Sequence, residues 1–395
     1  MLTPSQMAIV KATAPLVGEK AGEITAHFYP LMFARYPQVI QLFNQTHQRK
    51  GSQPQALAKA LVAYATHIDQ LAALGDAVAM IANKHCSLNI QPEHYPIVGE
   101  CLLESIAAVL GESVTAEVAD AWSAAYKQLA DILMSAEEHL YQNNSLRQGG
   151  WRGERAFRIA RIDTESAVIK SFYLVPAAGE QVIDFSAGQY IGLVINVNGE
   201  SVRRNYSLSE APGKVGLRIS VKREEGGLVS DYLHQQAKVG DTLMLTPPAG
   251  TFTLGHSAAS QERPLLFVTG GVGITPAISM LNDCVHNGRP ITFIHAAVNG
   301  DHHAFDAHLK ALAKTHRNLN YYVIYEKPLA EDRPDAMGFI DREILSRFVP
   351  ASGDVDLYFL GPKPFMRCVK ALAVELAIPH DQCFFEFFGP VEELA

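Results

Sequence analysis

A glycine-rich turn at residues 269–276 has a composition suited to holding a phosphate group. Its sequence, Thr-Gly-Gly-Val-Gly-Ile-Thr-Pro, follows an apolar strand pattern and precedes a helical pattern that continues to Asn287. Glycines let the backbone approach a pyrophosphate closely, and a helix N-terminus offers free N–H groups and a positive dipole. Pro276 stands where the usual dinucleotide fingerprint has its third glycine, so the turn alone also fits a plain strand–helix connection. The candidate residues are Gly270, Gly271, Val272, Gly273, Ile274 and Thr275.

One of the 15 histidines has the context of a metal ligand. His85 comes near the end of a helical pattern and just before a loop at residues 89–92. A neutral imidazole nitrogen is a common metal ligand. A single histidine is more often structural or exposed, so this context makes His85 a candidate and no more.

The elements that must position these residues fall into three regions. Residues 1–145 are rich in alanine and carry apolar residues three or four apart, as in Leu57, Leu61 and Tyr64, which predicts an all-α domain. Residues 146–260 switch to a period of two with glycine-containing turns, which predicts a small antiparallel β-barrel. Residues 261–395 alternate strands and helices, which predicts an α/β domain with a parallel sheet.

Composition narrows the class of protein. The 395 residues carry a formal net charge of -8, and no run of lysine and arginine offers a surface for nucleic acid. The five cysteines are odd in number and far apart, which disfavours disulfides or a zinc cage and favours reduced thiols in a cytoplasm. The N-terminus has no signal-peptide pattern, and the longest apolar stretch is broken by glycines and a proline, so we expect no transmembrane segment.

The C-terminal two thirds resemble the ferredoxin–NADP reductase family. The turn at 269–276 is similar to that family's GxGxTP motif, and Arg204-Asn205-Tyr206-Ser207 is similar to its RxYS flavin motif. The resemblance implies that the arginine meets the FAD pyrophosphate and that the tyrosine lies along the isoalloxazine ring, as suits a planar cation and a flat phenol. The further FAD-binding residues that it implies are Tyr190, after Gly188-Gln189, and Gly227, Val229 and Ser230, in the segment where a helix N-terminus faces the pyrophosphate.

The chain end carries two more features of that resemblance. Glu386-Phe-Phe-Gly-Pro390 implies an aromatic cover over the flavin face that nicotinamide must enter, with Phe388 as the candidate and Phe387, Gly389 and Pro390 beside it. Leu360 departs from the pattern, because the family has a cysteine there, ahead of Gly-Pro. We therefore expect slower hydride transfer.

The N-terminal part, and with it the whole chain, resembles the flavohaemoglobins. The segments that carry this resemblance include Thr25-Ala-His-Phe-Tyr29, Lys84-His85, Tyr95, Ala121-Trp122 and Glu137. It implies that His85 ligates the iron of a non-covalent haem b and that Tyr95 and Glu137 hydrogen-bond His85 to increase its electron donation. It also implies that Tyr29 donates to bound O2, and that Lys84 meets a haem propionate or the domain boundary. Phe43, Gln53 and Leu57 complete the implied haem pocket.

The resemblance implies a nitric oxide dioxygenase, in which NAD(P)H reduces FAD, FAD reduces haem, and the oxygenated ferrous haem converts NO to nitrate. NADH is favoured, because no arginine lies between Arg289 and Arg317 to bind a 2′-phosphate, although Lys310 and Lys314 leave room for NADPH. Two alternatives stay open: an O2 or NO sensor or carrier with an attached reductase, and a haem-free flavin reductase with a helical interaction module. Reduction of lipid peroxides is a further activity within the family. We expect a cytoplasmic monomer.

Overall fold

The computed structural model describes residues 2–43, 52–197, 199–255 and 263–389, apart from the side chains of residues 52–54. No helix in these ranges has both the length and the apolar character needed to cross a lipid bilayer.

The first part of the chain is helical, and residues 2–146, as far as the structure describes them, contain no strand. The hydroxyl of Thr3 accepts a hydrogen bond from the backbone N–H of Gln6, whose side chain accepts one from the backbone N–H of Thr3, and this capping box begins the first helix. The helices are α1 (Pro4–Glu19), α2 (Ala21–Arg35), α3 (Ser52–Thr66), α4 (Gly75–Ser87), α5 (His94–Leu110) and α6 (Ala116–Leu146), with a 3-10 turn at Pro37–Leu42.

The helices pack as crossed pairs, α1 on α6, α2 on α5, and α4 on α6. Close approach of α5 and α6 depends on Gly99, where a Cβ atom would collide with the ring of Tyr126. The hydroxyl of Tyr126 in turn donates to the backbone carbonyl of Tyr95 at 2.6 Å. This contact fixes the start of α5, which carries Tyr95, against α6, which carries Glu137.

The middle of the chain forms the six-stranded antiparallel sheet that the period of two predicts, with strand order β4-β3-β6-β1-β2-β5. A bridge between Leu208 and Ile219 joins the two edge strands, so the sheet curls into a barrel. Buried side chains on the inner faces, among them Phe157, Phe172 and Leu193, fill its interior. The strands are β1 (Arg155–Thr164), β2 (Ile169–Pro176), β3 (Tyr190–Val197), β4 (Glu200–Ser207), β5 (Leu217–Lys222) and β6 (Thr242–Leu245), and helix α7 (Leu228–Gln235) follows β5.

The last part is an α/β domain with a six-stranded parallel sheet of order β10-β9-β8-β7-β11-β12, as the alternating pattern predicts. Its central strand β7 is buried along its whole length, which explains its unbroken apolar sequence. The elements are β7 (Leu265–Gly270), α8 (Ile274–Cys284), β8 (Ile291–Ala297), α9 (Asp306–Thr315), β9 (Leu319–Tyr325), β10 (Ala336–Met337), α10 (Arg342–Ser346), β11 (Asp356–Leu360), α11 (Lys363–Glu375) and β12 (Cys383–Phe385).

The helical segment after the glycine-rich turn ends at Asn287, as the sequence predicts. It is an α-helix to Cys284 and then one 3-10 turn, and Gly288 ends it by adopting a left-handed conformation with φ 81°. The next helix, α9, begins at Asp306, because Phe305 has φ 65° and cannot be part of it.

Candidate functional site

The last turn of α4 positions His85 against a buried carboxylate. The His85 Nδ1 atom lies 2.7 Å from Glu137 Oε1 and 3.2 Å from the Tyr95 hydroxyl. The Tyr95 hydroxyl donates to the same Glu137 oxygen at 2.5 Å. A carboxylate that accepts from Nδ1–H leaves Nε2 as the unprotonated nitrogen. His85 can therefore present Nε2 to a metal while Glu137 holds its ring.

Glu137 and its neighbour Glu138 differ in their exposure to solvent. Glu137 is 2% exposed, whereas Glu138 is paired in solvent with Arg152. Burial and the hydrogen bond to Glu137 both raise the pKa of Tyr95, so its hydroxyl stays protonated. The structure thus brings together the three residues that the sequence predicts on the metal's proximal side.

Elsewhere in the helical domain, Tyr29 lies in an aromatic cluster. Tyr29 is 6% exposed, and its ring centroid lies 5.8 Å from that of Phe43 and 5.9 Å from that of Phe33. Leu57, on α3, packs against the same apolar core. The structure brings Tyr29, Phe43 and Leu57 into one core, while the side chain of Gln53 lies outside the described residues.

The flavin-type motif lies on β4, paired with β3 so that Tyr190 is opposite Ser207 and Gly192 opposite Asn205. Alternation along β4 directs Arg204 and Tyr206 to one face and Arg203 and Asn205 to the other. Burial lowers the pKa of the Arg204 guanidinium and raises that of the Tyr206 phenol.

The end of α4 docks directly on these two strands. Asn205 Nδ2 donates to Ser87 Oγ at 2.8 Å, and Thr246 Oγ1 donates to the Ser87 carbonyl at 3.0 Å. A Cβ atom on Gly192 would collide with that same carbonyl, so only glycine permits this approach. Ser87 is two residues from His85, and the candidate metal ligand is therefore joined to the strand that carries the flavin-type motif. Sequence reasoning missed Ser87 because nothing in its local pattern marks it.

Helix α7 begins where the sequence resemblance expects a pyrophosphate-facing N-terminus. Gly227 is its N-cap, and Val229 and Ser230 are buried in its first turn. The hydroxyl of Ser230 accepts from the backbone N–H of Glu224 at 3.1 Å, which closes the loop ahead of the helix.

The glycine-rich turn connects β7 to α8 as predicted. Gly271 has φ 54°, and a Cβ atom on Gly273 would collide with the carbonyl oxygen of Leu360 at the end of β11. Thr275 Oγ1 donates to the carbonyl of Val272 at 3.0 Å, which closes the turn. Gly270 pairs in β7, and Ile274 begins the helix. The turn therefore places the N-terminus of α8 at the carboxyl edge of the parallel sheet, where α/β folds bind ligands.

Leu360 lies behind this turn and is 1% exposed. Its side chain packs in the core with residues such as Tyr358 and Ile274. Near the chain end, Phe387 packs against the other face of the sheet, Phe388 is 49% exposed and Gly389 is partly buried. Pro390 lies outside the described residues.

Lys84, in the helical domain, and Glu386, near the chain end, interact electrostatically. The Lys84 ammonium lies 5.6 Å from the centroid of the Tyr190 ring. It remains exposed to solvent, but crowding by protein around it lowers its pKa, while Glu386 raises it. Burial raises the pKa of Glu386 to about 7, and Lys84 opposes this shift. Sequence reasoning quoted Glu386 only as part of a motif, because the 301 positions between it and Lys84 hide their electrostatic interaction.

The residues present fit the cofactors that these features imply. His85 offers an unprotonated Nε2 atom to iron, with an aromatic and aliphatic core nearby for a porphyrin. On β4, the buried Asn205 Oδ1 and the Nε and Nη1 of Arg203 have no hydrogen-bond partner among the described residues, as expected where a polar ligand completes a site. The fold and site together define a class: a haem-binding globin fused to an FAD- and NAD-dependent reductase.

Comparison with known proteins supports this class over the whole chain. A globin family model matches residues 26–133, an oxidoreductase FAD-binding domain matches residues 157–254, and an oxidoreductase NAD-binding domain matches residues 267–371. The flavohaemoprotein of Pseudomonas aeruginosa is 50% identical over 100% of both chains, and that of a Burkholderia species is 51% identical over 100% of both.

Solved structures of similar proteins support the same class. A flavohaemoglobin from Malassezia yamatoensis, with bound FAD and haem, is 25% identical and covers 98% of this chain and 100% of its own with a TM-score of 0.87. The FAD/NAD-binding domain of a Vibrio cholerae nitric oxide dioxygenase is 33% identical and covers 60% of this chain and 99% of its own with a TM-score of 0.55. The chain belongs to the flavohaemoprotein family, and it is an oxidoreductase with haem, FAD and NAD as cofactors.

Proposed function

We propose that this protein is an NADH-dependent nitric oxide dioxygenase, which uses O2 to convert NO to nitrate. The observation that carries the proposal is the position of His85. Its Nδ1 is held by the buried Glu137 carboxylate at 2.7 Å, and Ser87, two residues on, is hydrogen-bonded to the flavin-motif strand. A histidine made electron-rich by a carboxylate, with an electron supply in the same chain, would suit repeated oxygen activation better than storage.

On the proximal side, Glu137 orients the His85 ring and increases its basicity. The Tyr95 hydroxyl donates a hydrogen bond to the same carboxylate oxygen and so holds Glu137 in place. Such outer partners of a metal-ligating histidine are worth about 10- to 100-fold in metal affinity or activity.

On the distal side, Tyr29 supplies the hydroxyl that would donate to a ligand on the iron. Its ring is held edge-on by Phe28, with centroids 4.8 Å apart, and by Phe43, so the hydroxyl has a defined direction. Leu57 and Gln53 are four residues apart on α3, and we propose that they line the same pocket.

In the reductase part, Arg204 would bind the FAD pyrophosphate and Tyr206 and Tyr190 the flat flavin, with Ser207 and the N-terminus of α7 completing the site. Residues 270–275 would hold the nicotinamide nucleotide, and Phe388 would cover the flavin. Held by these residues, FAD would supply the exchange between a two-electron hydride donor and single electrons, and haem would supply the oxygen chemistry.

The charges near the nucleotide domain favour NADH. Arg289 is not available for a 2′-phosphate, because it is buried in an ion pair with Asp356 at 2.6 Å. Lys310 pairs with Asp306 at 2.7 Å, and Asp306 also accepts from the Tyr321 hydroxyl at 3.0 Å. These contacts favour a nucleotide that brings no extra phosphate.

The direct test is NO-dependent oxidation of NADH in air, with nitrate quantified. We expect one nitrate per NO and NADH consumption that stops when NO is exhausted. Reversible O2 binding without rapid NADH consumption on adding NO would favour the carrier. A purified chain without a Soret band despite a haem supply would favour the haem-free reductase. Gel filtration and fractionation would test the further expectation of a cytoplasmic monomer.

A further inference from the structure

Arg203 is a buried cation whose partners are incomplete. Its side chain is 10% exposed, and Nη2 pairs with Glu154 Oε1 at 2.6 Å. The Nε and Nη1 atoms are buried and have no hydrogen-bond partner in the part of the chain that the structure describes. Leaving donors of a charged group unpaired costs more than leaving neutral ones, so such an arrangement indicates an acceptor outside the polypeptide.

The position of Arg203 limits what that acceptor is. Strand β4 contacts the 3-10 turn Pro37–Leu42, which leads into Phe43, and Asn205 on the same strand bonds to Ser87 at the end of α4. Phe43 belongs to the distal wall of the proposed haem pocket and His85 to the proximal wall. A strand that contacts both walls crosses the edge of the pocket between them.

Arg203 faces this edge rather than the flavin. It lies two residues from Asn205, hence on the globin-facing side of β4, while Arg204 and Tyr206 face the other way. Its charge also reaches His94, at the start of α5, where it adds to the effect of burial in lowering the pKa of that imidazole.

We propose that Arg203, a residue of the FAD barrel, binds a propionate carboxylate of the haem held in the globin. A propionate accepts hydrogen bonds and carries the charge that a guanidinium prefers. The edge of the haem that bears the propionates is also its polar edge, which suits a boundary between domains. Haem binding and docking of the barrel on the globin are then one event, because each completes the partners of the other. The proposal rests on the haem site around His85.

The test measures haem loss from the full-length holoprotein to excess apomyoglobin. We expect Arg203→Met to lose haem roughly tenfold faster than the unmodified protein or more, since hydrogen bonds to charged groups are the strong ones. Arg203→Lys keeps the charge, and its rate of haem loss should lie between those of Arg203→Met and the unmodified protein. The control is Arg152→Met, which removes another ion pair between barrel and globin, the one with Glu138, and should leave the rate unchanged.

A second measurement tests whether the group that Arg203 binds is a haem propionate. The apoprotein is reconstituted with haem or with haem dimethyl ester, whose propionates carry no charge. We expect the ester to leave the unmodified protein about tenfold faster than haem and to leave Arg203→Met at nearly the same rate as haem does. Flavin content, measured by extraction, should not change.

Equal haem-loss rates for Arg203→Met and the unmodified protein would overturn the proposal, and so would the same ester effect in both. Loss of FAD with haem retained would also overturn it, and would assign the cation to the flavin phosphates. If the unmodified chain bound no haem at all, the proposed function would fall first, and the Soret band reports that separately.

Discussion

Replacing Glu137 by glutamine removes one negative charge next to His85 while keeping the size of the side chain. The carboxylate accepts from His85 Nδ1 at 2.7 Å and from the Tyr95 hydroxyl at 2.5 Å, and it is 2% exposed. Because solvent cannot compensate, His85 becomes a poorer electron donor and ferric haem loses more stabilisation than ferrous haem.

The magnitude follows from these two contacts. Hydrogen bonds to a charged group are worth about 1.5–3 kcal/mol and neutral ones about 1, so each contact loses about 0.5–2 kcal/mol and the two together about 1–4 kcal/mol. If ferric haem loses about 1.4 kcal/mol more stabilisation than ferrous haem, the one-electron reduction potential rises by about 59 mV. We expect turnover with NO to fall roughly tenfold or more.

Spectroelectrochemical titration of the haem measures the potential directly, and NADH oxidation with NO measures turnover. The matched control is Glu138→Gln, because Glu138 is the next residue but pairs with Arg152 at 2.7 Å in solvent. An unchanged haem potential in Glu137→Gln, or an equal shift in the Glu138 variant, would refute the electronic role of Glu137.

Three further predictions concern the distal pocket, the nucleotide turn and the nucleotide domain. Tyr29→Phe should speed O2 dissociation about tenfold, since the lost hydrogen bond is to a charged acceptor; stopped-flow off-rates equal to those of the unmodified protein would make Tyr29 a plain core residue. Leu360→Cys should speed reduction of FAD by NADH without changing O2 binding, because a thiol is smaller than leucine and hydride transfer requires close, aligned contact between nicotinamide and flavin; anaerobic stopped flow that shows an equal or slower rate would contradict this. Burial lowers the pKa of His303, so the unfolded chain binds its proton more readily and stability falls as pH drops below about 6.5, by up to about 1.4 kcal/mol per pH unit. His303→Gln should flatten that acid limb in urea unfolding of the nucleotide domain, and an unchanged slope would exclude the residue as a cause.

Much of this protein's fold could be predicted from short-range patterns in its sequence. The three-part architecture follows from the change of apolar period along the chain, and the glycine-rich turn from its own composition, because both depend on residues near one another in sequence. His85 could be singled out for the same reason. The domain boundaries at residues 145 and 260 remain predictions, since the structure describes elements rather than independent folding units.

Residue type and spacing did not decide which of two adjacent carboxylates serves His85: the family resemblance implied Glu137, and only the tertiary structure gave the physical reason. Glu137 and Glu138 are the same residue type on the same helix, and a helix turns by 100° per residue, so one faces α4 and the other faces solvent. The hydrogen bond between Asn205 and Ser87 likewise joins residues of different domains, and so does the electrostatic interaction of Lys84 with Glu386. Local propensity and periodicity describe how a segment folds, whereas these contacts depend on how the globin and the barrel pack, which arises only from long-range burial.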